Sequence, residues 1–186
     1  MSRIYAALAL VALAYSPVYA QEREAPTEGE EVQTLEPPMT LSRLAEIVFG
    51  LDPDAQSAGN SFQMVIEDVP IVILTDPDAD RMRAMIPIAS VDSVSTEQLM
   101  RVMQANFDTA LDARYAVAQG TLWSTYIHPL SPLEKNQFIE GLGQTVNLAR
   151  TYGTLYTGGG RSFAGGDSAP LQRQLIDNLL EQGEEI

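Results

Sequence analysis

The most restrictive feature of this sequence is how little chain separates its β-type runs. Residues 61–67, "SFQMVIE", alternate Phe62, Met64 and Ile66 against Gln63, Val65 and Glu67, the period of a half-buried strand. Asp68 and Pro70 mark a tight connection to the β-branched run 71–75, and "DPDAD" at 76–80 leads directly into 81–89, "RMRAMIPIA", where Met82, Ala84, Ile86 and Ile88 share one face. Parallel neighbours need a crossover of a dozen residues or more, so connections this short require antiparallel pairing. Residues 114–118 and 121–128 are two further strands, and Gln119-Gly120 between them is a hairpin signal. Pro87 has no N–H for a ladder, which predicts an edge strand or a bulge.

Helix signals frame these strands. Thr40 predicts a cap before Leu41, Leu44, Ala45 and Val48, with Gly50 and Asp52-Pro53-Asp54 as the stop and "SAGN" at 57–60 as a loop. Ser95 and Gln98 form a capping box ahead of a stripe of Leu99, Val102, Met103 and Phe107. Ser131-Pro132-Leu133-Glu134 combines a cap, a first-turn proline and a capping glutamate. Phe138, Leu142, Val146 and Ala149 follow, widened by Ile139, Leu148 and Tyr152, with Gly153 as the stop. Past "GGGRSFAGG", Leu171, Leu175, Ile176 and Leu179 mark an amphipathic segment. The predicted order is αβββαββα plus a C-terminal amphipathic helix, an α+β fold on an antiparallel sheet.

The ends of the chain set the expected setting. Arg3, an apolar run over 4–14 too short to span a bilayer, Pro17 and the small residues Val18 and Ala20 make residues 1–20 a signal peptide, cleaved before Gln21. Residues 21–39, acidic and with three prolines, read as a disordered spacer. The domain proper is expected at 40–155, a glycine-rich linker at 156–168 and a helical tail at 169–186. The mature protein is then exported, soluble and periplasmic, with no stable membrane insertion after cleavage. The formal net charge of −14 becomes −15 once Arg3 is removed. Such a surface repels nucleic acid and anionic lipid and suits neutral or basic partners. Without cysteine there is no disulfide, thiolate metal site or cysteine nucleophile.

Candidate chemistry is sparse. Asp76, Asp78 and Asp80 have the spacing of a calcium loop, but glycine at the sixth position and glutamate at the twelfth are replaced by Arg81 and Pro87. A hairpin turn is the better reading, with aspartates capping backbone amides and Arg81 and Arg83 near enough to neutralise them. His128, the only histidine, ends a strand before Pro129. No nucleophile elbow is present, and the tract 158–166 lacks the Gly-Lys-Ser/Thr of a phosphate loop. No catalytic, cofactor or metal-binding residue is assigned. Trp123 and Tyr126, three apart on one strand, fall on opposite faces, one for the core and one free to meet a partner.

The element order and three strings, "VPIVILTDPDADRMR" at 69–83, "LWSTYIHPLSP" at 122–132 and "QTVNLARTYGT" at 144–154, resemble the YbjN-like proteins, relatives of the type III secretion chaperone fold. The resemblance implies a small acidic homodimer that is not an enzyme and binds protein segments in extended form. Such chaperones work in the cytosol, so an exported member departs from that pattern. The expected function is a chaperone-like binding protein for an extended or partly folded protein client, with Trp123, Tyr126, Arg81 and Arg83 as partner-binding candidates. A small-ligand binding module of the cell envelope is the alternative; an enzyme built around His128 or the aspartate loop, and a purely structural envelope protein, stand behind it.

Overall fold

The computed structural model describes residues 36–108, 110–152 and 170–186. The expected signal peptide, residues 21–35 of the spacer, the Gly153 stop and the linker 156–168 lie outside the described residues. From Glu36 onward the described chain belongs to one compact unit. Its helices are α1 (Leu41–Leu51), α2 (Thr96–Asp108), α3 (Lys135–Arg150) and α4 (Pro170–Glu184). Its strands are β1 (Gln56–Ala58), β2 (Ser61–Ile66), β3 (Val69–Asp76), β4 (Arg81–Ser90), β5 (Arg114–Ala118) and β6 (Thr121–Pro129). The fold is α+β, with six antiparallel strands in the order β1-β2-β3-β4-β6-β5.

The turns explain the tight meander. Glu67 and Asp68 between β2 and β3, and Gln119 and Gly120 between β5 and β6, all have positive φ. Two-residue turns of this kind match the twist of the strands they join. The aspartate loop closes on the pair Asp76↔Arg81, and the Asp76 carboxylate accepts from the Ala79 N–H at 3.0 Å. Pro87 sits beside a bulge, where the β4–β6 register shifts between Pro87 and Ala89. β1 occupies residues read as loop: Gln56–Ala58 pair with Ser61–Gln63 through a turn at Gly59.

Strand alternation sends Phe62, Met64, Ile66, Ile71, Ile73, Met82, Ala84, Ile86, Leu122 and Tyr126 to one face, where they are buried with Leu44, Ile47 and Val48 of α1 and Phe138, Leu142 and Val146 of α3. Polar side chains fasten this layer. Ser124 Oγ donates to Thr145 O at 2.8 Å, Tyr115 Oη to Leu148 O at 2.9 Å, and Gln144 Oε1 accepts the N–H groups of Asp112 and Ala113. α4 covers the other side of α3, with Leu175, Ile176 and Leu179 buried. Asn147 is buried on that side, its side-chain amide donating to Gln172 O at 3.0 Å.

Four expectations change. Residues 36–39, placed in the spacer, are folded in: Met39 is buried, and Glu36 accepts from the Lys135 N–H at 3.0 Å and pairs with Arg43. These bonds, the Lys135 N–H first, hold the Glu36 carboxyl below its usual range. Ser131 does not cap α3. Asp80 takes both its N–H (2.6 Å) and its hydroxyl (2.9 Å), and Glu134 is the cap, with Gln137 completing the box. The Ser95–Gln98 box is present as expected, but the stripe it introduces is rotated: Val102 and Ala105 face inward, while Met103 and Phe107 are exposed. In α4, Leu171 is exposed as well.

Candidate functional site

On the sheet face away from the helices the strand register brings several exposed or half-buried apolar side chains together. One cross-strand row runs Ser61, Leu74, Arg83, Ile127 and the next Gln63, Val72, Met85, Thr125, Arg114, with Val65 and Trp123 at their flanks. Val65, Leu74 and Ile127 are 53%, 39% and 53% exposed. Beside Val65 and Val72, under Asp52 and Asp54, lies a depression of about 310 Å³. Trp123 is half-buried, its indole N–H donating to Ala118 O at 3.0 Å. Thr125, mid-row, is buried, and its hydroxyl has no hydrogen-bond partner.

Two edge positions are closed. On β5 the Asn106 side-chain amide copies a strand partner, accepting from the Tyr115 N–H at 2.7 Å and donating to Tyr115 O at 3.0 Å. On β2, beyond the end of β1, the Asp52 carboxylate accepts the Val65 N–H at 2.7 Å. Exposed strand edges recruit further strands, and side chains that satisfy their backbone groups suppress this. The backbone groups at these two edge positions are therefore not free to pair with a further strand.

The four candidate residues divide. Arg83 is exposed on the open face between Leu74 and Ile127, with Trp123 on the same face. Arg81 is exposed at the start of β4, and its guanidinium donates to Asp80 O at 2.8 Å. Among the described residues no ion pair joins Arg81 or Arg83 to the three aspartates, although the Arg81 charge acts on Asp80 and helps to hold its carboxyl down. Tyr126 lies on the inner face, 4% exposed, its ring against Gly141 of α3 and stacked on His128 with centroids 5.9 Å apart. Burial pushes its phenol up to about 12, and the charges of Asp112 and Glu140 add to the shift. His128 Nδ1 is 2.7 Å from Pro129 O, so that nitrogen carries the proton and Nε2 is left to accept.

The aspartate loop is structural. Asp80 ties the β3–β4 turn to the β6–α3 connection, 51 residues away in sequence, and its hydrogen bonds from Ser131 hold its carboxyl below the usual aspartate range. Two of the three strings behind the family resemblance thus meet at one contact. Sequence reasoning missed Asn106 and Asp52, whose roles depend on an edge that only the sheet order reveals. It also missed a second apolar surface, formed by Met100, Met103 and Phe107 of α2, of which Phe107 is 85% exposed.

Among the described residues no helix is long and apolar enough to cross a membrane. No family model and no curated protein matches the chain. Among solved structures it is similar to a chain of the ExsC–ExsE complex, at 11% identity and a TM-score of 0.48, covering 61% of this chain and 93% of that one. It is also similar to a chain of the HopA1–SchA chaperone–effector complex, at 11% identity and a TM-score of 0.45, covering 62% and 98%.

Proposed function

We propose that this chain is an exported, non-enzymatic, chaperone-like protein, a YbjN-like relative, that holds extended or partly folded protein segments against the open face of its sheet. The observation that carries the reading is the open sheet face on which Val65, Leu74 and Ile127 are exposed and Val72 and Met85 partly so, across neighbouring rows, while Asn106 and Asp52 close two edge positions beside it. Fully burying a side chain such as leucine or isoleucine contributes roughly 1.5–3 kcal/mol. About half of that remains available at Val65 and Ile127 and less at Leu74, Val72 and Met85, so the hold is a sum of several weak contacts. Asp52 and Asp54 at the rim, and the net charge of −14, favour basic clients.

Residues 1–20 carry the chain to the periplasm in this reading. It acts there as a homodimer that joins through Met100, Met103 and Phe107. Between Met100 and Phe107 the charged side chain, Arg101, is paired with Glu97 at 2.6 Å, which leaves that stretch of an acidic chain close to neutral.

The test uses reduced, unfolded lysozyme, a basic chain that aggregates on dilution, followed by light scattering. The mature protein suppresses the scattering at comparable concentration, and the Leu74→Asp/Ile127→Asp variant does not. A variant with an unchanged circular dichroism spectrum that suppresses as well as the parent removes the open face from the account.

A further inference from the structure

Arg83 lies on the open face between two exposed apolar neighbours, opposite Leu74 of β3 and Ile127 of β6 in the strand register. Leu74 and Ile127 are two strand spacings, about 10 Å, apart, so a segment that covers both also covers Arg83. Of the other described arginines, four pair with carboxylates, and Arg81 and Arg114 donate to backbone carbonyls. The single lysine, Lys135, donates to Gly183 O at 2.9 Å. Among the described residues Arg83 is thus the one lysine or arginine whose side chain has neither an ion pair nor a hydrogen bond, in a chain with 25 acidic residues. The Asp76 carboxylate, on the same face, is turned to the Ala79 N–H. A guanidinium in water needs no protein partner. Covered by apolar side chains without an acceptor, it becomes an unpaired buried charge, which is strongly unfavourable.

We infer that Arg83 recognises a carboxylate on the client, the side chain of an aspartate or glutamate that stands in an extended segment between apolar residues two positions to either side. Residues i−2, i and i+2 of an extended chain share one face, so the acid meets Arg83 while its apolar neighbours lie on the Leu74 and Ile127 side chains. A neutral acceptor, such as a backbone carbonyl or a glutamine amide, satisfies guanidinium donors. A carboxylate also cancels the charge and accepts two N–H groups at once. Arg81, exposed on the same face of the same strand, adds positive charge on that side. The acidic rim at Asp52 and Asp54 borders β2, two strands from Arg83. The basic residues that the rim attracts and the acid that Arg83 takes therefore occupy different places in one segment. The inference rests on the reading of the open face as the client site, and adds what one position of the client carries.

Trp123 is the single tryptophan and lies on the same face, so its fluorescence reports occupancy without a label. Three peptides blocked at both ends, identical but for a central glutamate, glutamine or lysine with leucine two positions to either side, are titrated into the mature protein. The expected result is saturable binding of the glutamate peptide, about tenfold weaker binding of the glutamine peptide and weaker binding still of the lysine peptide. Arg83→Gln removes the preference for glutamate over glutamine, and Arg83→Glu reverses the order so that the lysine peptide binds best. Both variants keep the parent's circular dichroism spectrum, since Arg83 is exposed and makes no bond within the described chain. Equal binding of the glutamate and glutamine peptides, or a preference that survives in Arg83→Gln, overturns the inference. So does tighter binding of a glutamine peptide with a free C-terminal carboxylate than of the blocked glutamate peptide. The two readings fail differently. If Arg83 selects nothing, all three peptides bind alike and Leu74→Asp/Ile127→Asp still fails to suppress lysozyme scattering. If the open face holds no client, no peptide binds, that variant suppresses as well as the parent, and both readings fall.

Discussion

Alanine at Gly141 places a Cβ 2.5, 2.6 and 2.8 Å from Cε1, Cδ1 and Cζ of Tyr126. Carbon atoms rest about 3.5–4.0 Å apart, so the overlap is about 1 Å along one side of the ring. The ring cannot swing into water, since it is 4% exposed and backed by His128. Overpacking of this kind costs about 1–3 kcal/mol. Against it, alanine gains about 1 kcal/mol over glycine in a helix interior. The expected net effect is a loss of up to about 2 kcal/mol, a fall of up to about 1 M in the urea midpoint followed by circular dichroism. In a Tyr126→Ala background the ring is gone and only the helix term remains, so Gly141→Ala there raises stability by about 1 kcal/mol. The loss of that penalty, a coupling of about 1–3 kcal/mol, is the signature of direct contact. Additive effects, with Gly141→Ala equally stabilising in both backgrounds, refute the packing of β6 against α3 described above.

Two further outcomes follow from single groups. Thr125→Val removes a buried hydroxyl without a partner and keeps the shape, so the urea midpoint is unchanged or rises, by up to about 1 kcal/mol in stability. The Asp80 carboxyl is held below its unfolded value by Ser131. Its contribution is therefore present above the unfolded pKa near 3.8 and is lost as pH falls through the folded value. In acid titrations of stability, Asp80→Asn flattens the decline below that pH, and an unchanged acid limb excludes the Asp80–Ser131 tie as its source.

The parts of the fold legible in the sequence were those set by neighbours in the chain. The hairpins at 67–68 and 119–120, the Ser95–Gln98 box and the alternation of Phe62, Met64 and Ile66 are local patterns, and all are present. Competition between distant groups was not legible. Ser131 has the local form of a helix cap, but Asp80 claims both of its donors, and the cap moves to Glu134. Burial of Asn147 follows from α4 covering a second side of α3, and burial of Gln144 from the loop before β5, neither of which periodicity can signal. Met103 and Phe107 fit an inward stripe by spacing alone; the helix turns Val102 and Ala105 inward instead. Of the candidate residues, Trp123 and Tyr126 divided between faces as strand alternation requires. Asp112 and Glu140, whose charges act on Tyr126, come from the loop before β5 and from α3, and no spacing joins them in sequence.

The central claim, that a client lies along the open sheet face, is tested most directly by placing a photo-crosslinking residue at Leu74, at Ile127 or, as a control on α4, at Arg173, and exposing each mature protein to reduced, unfolded lysozyme. The account predicts adducts from Leu74 and Ile127 and none from Arg173. Equal labelling from all three positions, or adducts from Arg173 alone, contradicts it.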